Sequence, residues 1–422
     1  MTVSGSRWCV AAVVTAVLAA CARTGAAVPA VPAPRGARPY VVMVSFDAFR
    51  HDYIGRYHPP AFARVAARGI RATALVPSFP SKTFPNHYTL VTGLYPGHHG
   101  IVGNTFFDPD RNAWYRLGDS LSVRDGSWYG GEPIWATAER NGLRTGVHFW
   151  PGSEASIGGS RPTYTRRYDA AMSNARRVDE SIGWLRLPAA QRPHLVLLYM
   201  SDVDDSTHRH GPDAPATGAA VASVDRALQR LVDSLDALPM RDSVNLVLVS
   251  DHGMATVDPR HVMPVLDQLV RGGVDTAGIR ISENGPTMSL WFGDDSLRLR
   301  RSREILVRTL VDAHVYNRAE LPARWHLRDT RRAGDLMMVA NEGWILQRRG
   351  SDKAPSPGVH GYDPALADMH GIFIAAGPGV RRAGVIPAFE NIDVQPFLIR
   401  LLQLPPVRGV DGREATLAPW LR

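Results

Sequence analysis

The chain has 422 residues, 45% of them apolar. That is enough for one large α/β domain with insertions or for two domains, and it excludes a disordered or fibrous polypeptide. The formal net charge of +8 is carried by arginine, since Lys82 and Lys353 are the only lysines among 48 basic residues. Pairs such as Arg166-Arg167, Arg176-Arg177 and Arg300-Arg301 are scattered, without a continuous basic run or a nucleic-acid-binding motif, so the charge reads as solvated surface that at most attracts anionic substrates.

The N-terminus carries one charge at Arg7 and then the apolar run from Val10 to Ala20, too short to span a bilayer but suited to the core of a signal peptide over residues 1–20. Leu18-Ala19-Ala20-Cys21 resembles a bacterial lipobox, which implies lipidation of Cys21 and export to the periplasmic side of a membrane. Cys9 lies in the segment removed, so no internal disulfide is expected. Residues 21–38, rich in Ala, Pro, Gly and Arg, read as a flexible tether ahead of a catalytic domain over residues 39–422.

From Tyr40 the pattern is α/β. Tyr40 to Phe46 is a continuous apolar run, as in a parallel strand covered on both faces, and it ends in Asp47. His194 to Met200 repeats the pattern and leads to Asp202, Asp204 and Asp205, while Val244 to Ser250 ends in Asp251-His252-Gly253. Ligands of open α/β sheets gather at the carboxyl ends of the strands, so three buried strands ending in carboxylates point to one shared site. Ile70–Val76 and Leu143–Phe149 are weaker strands, and Ile134–Arg140, Ala214–Leu238 and Val394–Leu404 read as helices. Residues 256 to about 350 mix a helical stretch, Ser296–Val315, with strand-like Met288–Phe292 and Asp335–Gln347, the pattern of a smaller inserted subdomain; Ile372 to Ala376 returns to the main sheet.

The chemistry is concentrated around Ser81-Lys82-Thr83-Phe84-Pro85-Asn86-His87. Pro85 suits a first helical turn, which places the Thr83 hydroxyl at a helix N-terminus, where backbone N–H groups and the positive end of the macrodipole favour a phosphoryl group or an alkoxide. A mixed set of Asp and His at strand ends fits a divalent metal, and zinc in particular. Asp204 and His208 are four residues apart and can face one ion; Asp251 and His252 are adjacent where a strand ends. Spacing alone does not select among His208, His210, His252, His360 and His370.

These segments resemble the nucleotide pyrophosphatase/phosphodiesterases of the alkaline phosphatase superfamily. The resemblance is carried by Val44 to Asp47, the run from Pro80 to Asp108, Phe149-Trp150-Pro151-Gly152-Ser153-Glu154, Tyr199 to Pro212, Ser250 to Met254 and His360 to Asp363. It implies an alkaline phosphatase-like α/β fold, a central mostly parallel sheet flanked by helices, and two zinc ions. Asp47, Asp251, His252 and the oxygen of Thr83 would hold one ion, and Asp204, His208 and His360 the other. Ser201 to His208 departs from the family pattern, which leaves Asp202 and Asp205 as alternatives to Asp204; His370 falls outside the motif. Thr83 would be the nucleophile, forming a covalent phosphothreonine, with Asn104 supporting a phosphoryl oxygen and Phe84 and Tyr199 stacking on a nucleobase. The implied reaction is hydrolysis of nucleotide diesters and pyrophosphates to nucleoside 5′-monophosphates. An alkaline phosphatase-type monoesterase, a lysophospholipid diesterase and a non-catalytic nucleotide-binding lipoprotein are the alternatives. The apolar Phe149-Trp150-Pro151-Gly152, where some monoesterases carry cations, favours diesters, and no sulfatase Cys/Ser-x-Pro-x-Arg motif is present.

Overall fold

The computed structural model describes residues 1–2, 38–351 and 353–422, so Cys21, the expected signal segment beyond Thr2 and nearly all of the tether lie outside the described residues. An eight-stranded sheet forms the centre. In chain order its strands are β1 (Tyr40–Phe46), β2 (Gly69–Ala72), β3 (Thr145–His148), β4 (Tyr164–Arg166), β5 (Leu195–Met200), β6 (Val244–Val249), β7 (Phe373–Ala376) and β8 (Gly384–Ile386), laid side by side as β8-β2-β7-β6-β1-β5-β3-β4. β1 runs parallel to both β5 and β6, with Val42 opposite Val196 and Leu246. Only β7 runs against its neighbours, pairing antiparallel with β6 and β2.

Alternation along these strands builds two cores. Val41, Met43, Leu195, Leu197, Val247 and Val249 pack on one face against Tyr88, Leu90, Trp135 and Phe397. Val42, Val44, Val196, Leu198 and Leu248 pack on the other face against Phe62, Ile182, Val224, Leu228 and Leu231. With both faces covered, the strands have no polar side, which is why they read as unbroken apolar runs. The covering helices include α1 (Thr83–Thr92), α2 (Asn174–Leu185), α3 (Asp202–His210), α4 (Pro215–Asp236) and α6 (Val394–Leu401), with α5 (Ser296–Thr309) belonging to a separate layer.

That layer is a four-stranded antiparallel sheet of Arg280–Asn284, Thr287–Trp291, Leu336–Ala340 and Ala313–Asn317, in that spatial order, with α5 beside it and its own apolar cluster of Leu266, Leu290, Leu306, Leu336 and Met338. The helix expected over Ser296–Val315 stops at Thr309, because Leu310 turns out of helical geometry and Ala313–Asn317 is drawn into pairing with Leu336–Ala340. The expected strand Ile70–Val76 is divided into β2 and a short piece, Leu75–Val76, and Asp335–Gln347 into Leu336–Ala340 and Ile345–Gln347. Among the described residues no helix is long and apolar enough to cross a membrane.

Candidate active site

The parallel register brings the carboxyl ends of β1, β5 and β6 together, and the residues just beyond them form the floor of the site. Asp47 leaves β1, its N–H bonded to the Met200 carbonyl at 2.9 Å, while Asp251 and His252 leave β6. α3 follows β5 after one residue and carries Asp204 and His208 one turn apart, with Asp204 Oδ1 at 3.4 Å from His208 Nε2. His360 enters from a loop after a short strand at Gly358–Val359, and its Nε2 stands 3.8 Å from Asp204 Oδ1. α1 begins at Thr83 and ends at Gly93 in the left-handed region, so the threonine is the first helical residue. Thr83 Oγ1 lies 3.3 Å from His252 Nε2.

Hydrogen bonds behind these groups set what each can do. Nδ1 of His208 is 2.9 Å from the Gly358 carbonyl, Nδ1 of His252 is 2.8 Å from the Gly253 carbonyl, and Nδ1 of His360 is 2.8 Å from the Ser81 carbonyl. A carbonyl only accepts, so each Nδ1 carries the proton and each Nε2 presents a lone pair, the arrangement that orients metal-ligating imidazoles. The His252 and His360 rings stack at 3.6 Å. Opposite them, Asp47 Oδ1, Asp204 Oδ1 and Asp251 Oδ2 are buried without any hydrogen-bond partner among the described residues. Three orphaned carboxylate oxygens facing imidazole lone pairs would be costly unless a cation joins them. The donor set of carboxylate oxygens and imidazole nitrogens therefore fits divalent metal ions, and two groups, Asp204 with His252 and His360 and Asp47 with His87 and Asp251, have ligand atoms close enough together to hold them.

The electrostatics agree. Burial and the neighbouring charges of Asp251 and Asp204 hold the Asp47 carboxyl well above its ordinary range, while Tyr199 pulls it back. Burial likewise raises Asp204. Burial pushes Asp251 upward too, but His252 and His87 outweigh it and hold its carboxyl below the ordinary range. Burial depresses Lys82 to about 8, with Asp204 pulling in the opposite direction.

His87, one helical turn after Thr83, touches the same cluster, 3.2 Å from Asp251 Oδ2. Its Nδ1 donates to the Thr83 carbonyl at 2.9 Å and its Nε2 meets Ser45 Oγ at 2.8 Å, so both nitrogens are engaged and none is left for a metal. It holds the first turn of α1 beside Asp251 instead. The motif displayed His87 four residues after Thr83, and that spacing was the signal for this role.

The other sequence-derived candidates fall as follows. Asn104 Oδ1 accepts from the Phe84 N–H at 3.0 Å, which fixes its amide beside Thr83. Phe84 is half-buried, packed on the main core with its ring 6.3 Å from Tyr115. Tyr199 departs from its expected role as a stacking platform. It is only 8% exposed, it lies in β5, and its hydroxyl donates to Asp47 Oδ2 at 2.6 Å. The aromatic ring open to solvent is Tyr168, 50% exposed, whose edge stands against Phe149 and Tyr199 and which no sequence pattern marked. Asp202 accepts from Asn174 and Asp205 from Ser201, so both alternatives to Asp204 are occupied outside the cluster. His370 Nε2 bonds the Pro364 carbonyl, away from the cluster.

Comparison with known proteins places this geometry. The family model described as type I phosphodiesterase/nucleotide pyrophosphatase matches residues 41–363. The human ectonucleotide pyrophosphatase/phosphodiesterase family member 5 is 35% identical over 367 residues, covering 86% of this chain and 74% of its own. An uncharacterized pyrophosphatase/phosphodiesterase of Schizosaccharomyces pombe is 35% identical over 381 residues, covering 86% of this chain and 77% of its own. The solved structure of murine ectonucleotide pyrophosphatase/phosphodiesterase 5, an inactive form in complex with AMP, superposes with a TM-score of 0.85 at 32% identity, covering 92% of this chain and all of that one. The mixed α/β architecture, a large sheet flanked by helices, is thus the alkaline phosphatase-like fold of those relatives. The chain belongs to the type I phosphodiesterase/nucleotide pyrophosphatase family, hydrolases of phosphodiester and pyrophosphate bonds.

Proposed function

We propose that this enzyme hydrolyses nucleotide diesters and pyrophosphates with two zinc ions and releases nucleoside 5′-monophosphates. The observation that carries the reading is the convergence of three orphaned carboxylate oxygens and imidazole lone pairs on the Thr83 hydroxyl at the start of α1. Asp47, Asp251 and His252, with Thr83 Oγ1, would hold one ion, and Asp204, His208 and His360 the other. Bound there, the ions would lower the pKa of the attacking oxygen and neutralise charge on the phosphoryl group.

The chain's own groups supply the rest. Thr83 Oγ1 attacks in line and becomes esterified to the phosphorus that still bears the nucleoside; water then releases the monophosphate. Asn104 donates from its amide to a non-bridging oxygen, a contact of the oxyanion-hole kind. His87 and the helix N-terminus keep the threonine turn in place. For the base, Phe84 and Tyr168 offer partly open aromatic rings, a role that the burial of Tyr199 directs away from that residue. The AMP held by the murine relative supports a nucleotide ligand.

We place the catalytic domain at residues 39–422, with the layer around 256–350 as its inserted subdomain, behind an exported, lipid-anchored N-terminus at Cys21; the ectoenzyme names of relatives support export. The test of the catalytic reading is Thr83→Ala. It should retain about two zinc ions per chain and lose all turnover, and rapid quench of the wild type should yield a nucleotidyl ester on Thr83. Turnover surviving in the variant, or fewer than one zinc ion in a fully active wild type, would overturn it.

A further inference from the structure

One charged group at the site has no assigned task. Lys82 precedes the nucleophile, caps α1 in an extended conformation and is only 7% exposed. Among the described residues its ammonium has no hydrogen-bond acceptor, and Asp204 is the charged group that offsets its burial. An ammonium held in the floor of a site without an acceptor is free to donate to a bound anion.

The surroundings are shaped for the side chain. A Cβ at Gly361, where φ is +114°, would run into Cε of Lys82 and stand 3.1 Å from Nζ; a Cβ at Gly285, where φ is +74°, would stand 3.7 Å from Nζ. Two glycines in the left-handed region thus leave room for the lysine side chain beside Val359. In a chain that otherwise uses arginine almost throughout, the narrow seat takes the compact point charge with three donors rather than the broad guanidinium fork.

Its place along the reaction axis follows from the two halves of the site. Thr83 Oγ1 lies by His252, whereas the Gly361 that seats Lys82 directly follows His360, whose Nε2 stands 3.8 Å from Asp204 Oδ1, so Lys82 borders the other half. In-line attack sends the leaving oxygen away from the nucleophile, toward that other half. We propose that Lys82 Nζ is a specificity-determining donor to the phosphate beyond the scissile bond, so that the enzyme favours nucleotide pyrophosphates over diesters with uncharged leaving groups. As the Thr83 Oγ1–P bond forms, the P–O bond breaks and its electron pair passes to the departing phosphate oxygen, which Lys82 hydrogen-bonds. The threonine proton is shed to water as the hydroxyl ionises. This proposal rests on the hydrolytic reading above.

The test is Lys82→Met, of similar length and uncharged, with Lys82→Arg beside it, both with zinc content measured. The methionine variant should lose about 50-fold or more in kcat/KM on diadenosine triphosphate but less than about fivefold on an aryl ester of thymidine 5′-monophosphate, an asymmetry of at least about tenfold for one charge-assisted hydrogen bond. Its affinity for AMP should stay within about twofold, while α,β-methylene-ADP should bind about tenfold more weakly than to the wild type. Equal losses on both substrates, or a loss confined to the aryl ester, would overturn the proposal. A wild-type measurement stands independently of how the variants fold: if AMP binds as tightly as α,β-methylene-ADP, the distal phosphate gains nothing and the proposal fails. An inactive wild type would remove the hydrolytic reading instead, so the two failures are distinguishable.

Discussion

Replacing Tyr199 with Phe removes one atom from the site and separates two roles. The ring stays in β5, but the 2.6 Å hydrogen bond to Asp47 Oδ2 is lost. Both partners are buried and the acceptor is a carboxylate, so the bond is worth about 1.5–3 kcal/mol, or about 10- to 150-fold in an equilibrium constant. That hydrogen bond favours the ionised form of Asp47, whose carboxyl is already pushed up by burial and by Asp251 and Asp204. Without it Asp47 takes up a proton more readily, and metal must compete harder as pH falls. Zinc affinity, measured by chelator competition at pH 6 and pH 8, should therefore fall about 10- to 100-fold, with the larger loss at pH 6. Loss of kcat/KM should be equal for nucleotide and small aryl diesters once zinc saturates. Unchanged zinc affinity together with a selective loss on nucleotides would refute this reasoning and restore Tyr199 as a stacking surface.

His360→Ala should cost at least about 100-fold in activity, beyond the 10–100-fold typical of groups behind metal ligands, whereas His370→Ala should stay near wild type; the reverse ranking in steady-state assays would misplace the site. His99, buried between Thr89 and the Ile101 N–H, is held by burial at about 3, against 6.5 for a free imidazole. A depressed histidine binds its proton only on unfolding, so stability should fall as pH drops below 6.5. His99→Asn should lose about 1.6 kcal/mol less than wild type between pH 6.5 and pH 5, read from urea unfolding in matched buffers, and parallel curves would contradict that.

Much of the site was legible because parallel strands buried on both faces leave an unbroken apolar signature that ends where the carboxylates begin, at Asp47 and Asp251. The four-residue step from Asp204 to His208 and the first-turn proline after Thr83 also map directly onto helix geometry. The direction of β7 was not legible, since an apolar run is the same read either way along a sheet. Nor was the end of α5, where Ala313–Asn317 carries apolar residues that continue the helical pattern but pair with Leu336–Ala340 instead. The orientation of Tyr199 lay beyond the sequence for a related reason. Its strand position was clear, but the partner of its hydroxyl depends on the register between β1 and β5, which sets Ser45 opposite Tyr199 and so brings Asp47 within reach. Tyr168 sits in an irregular loop with no periodicity to mark it.

On the function proposed above, the site cleaves phosphodiester and pyrophosphate bonds of nucleotides in preference to monoesters. The most direct measurement is the ratio of kcat/KM for the nitrophenyl ester of thymidine 5′-monophosphate to that for nitrophenyl phosphate, on the zinc-loaded wild type with product identified by chromatography. The partly open rings of Phe84 and Tyr168, which can hold a second substituent on the phosphate, predict a ratio far above one, with thymidine 5′-monophosphate as the product. A ratio at or below one would contradict the account and assign the chain a monoesterase site.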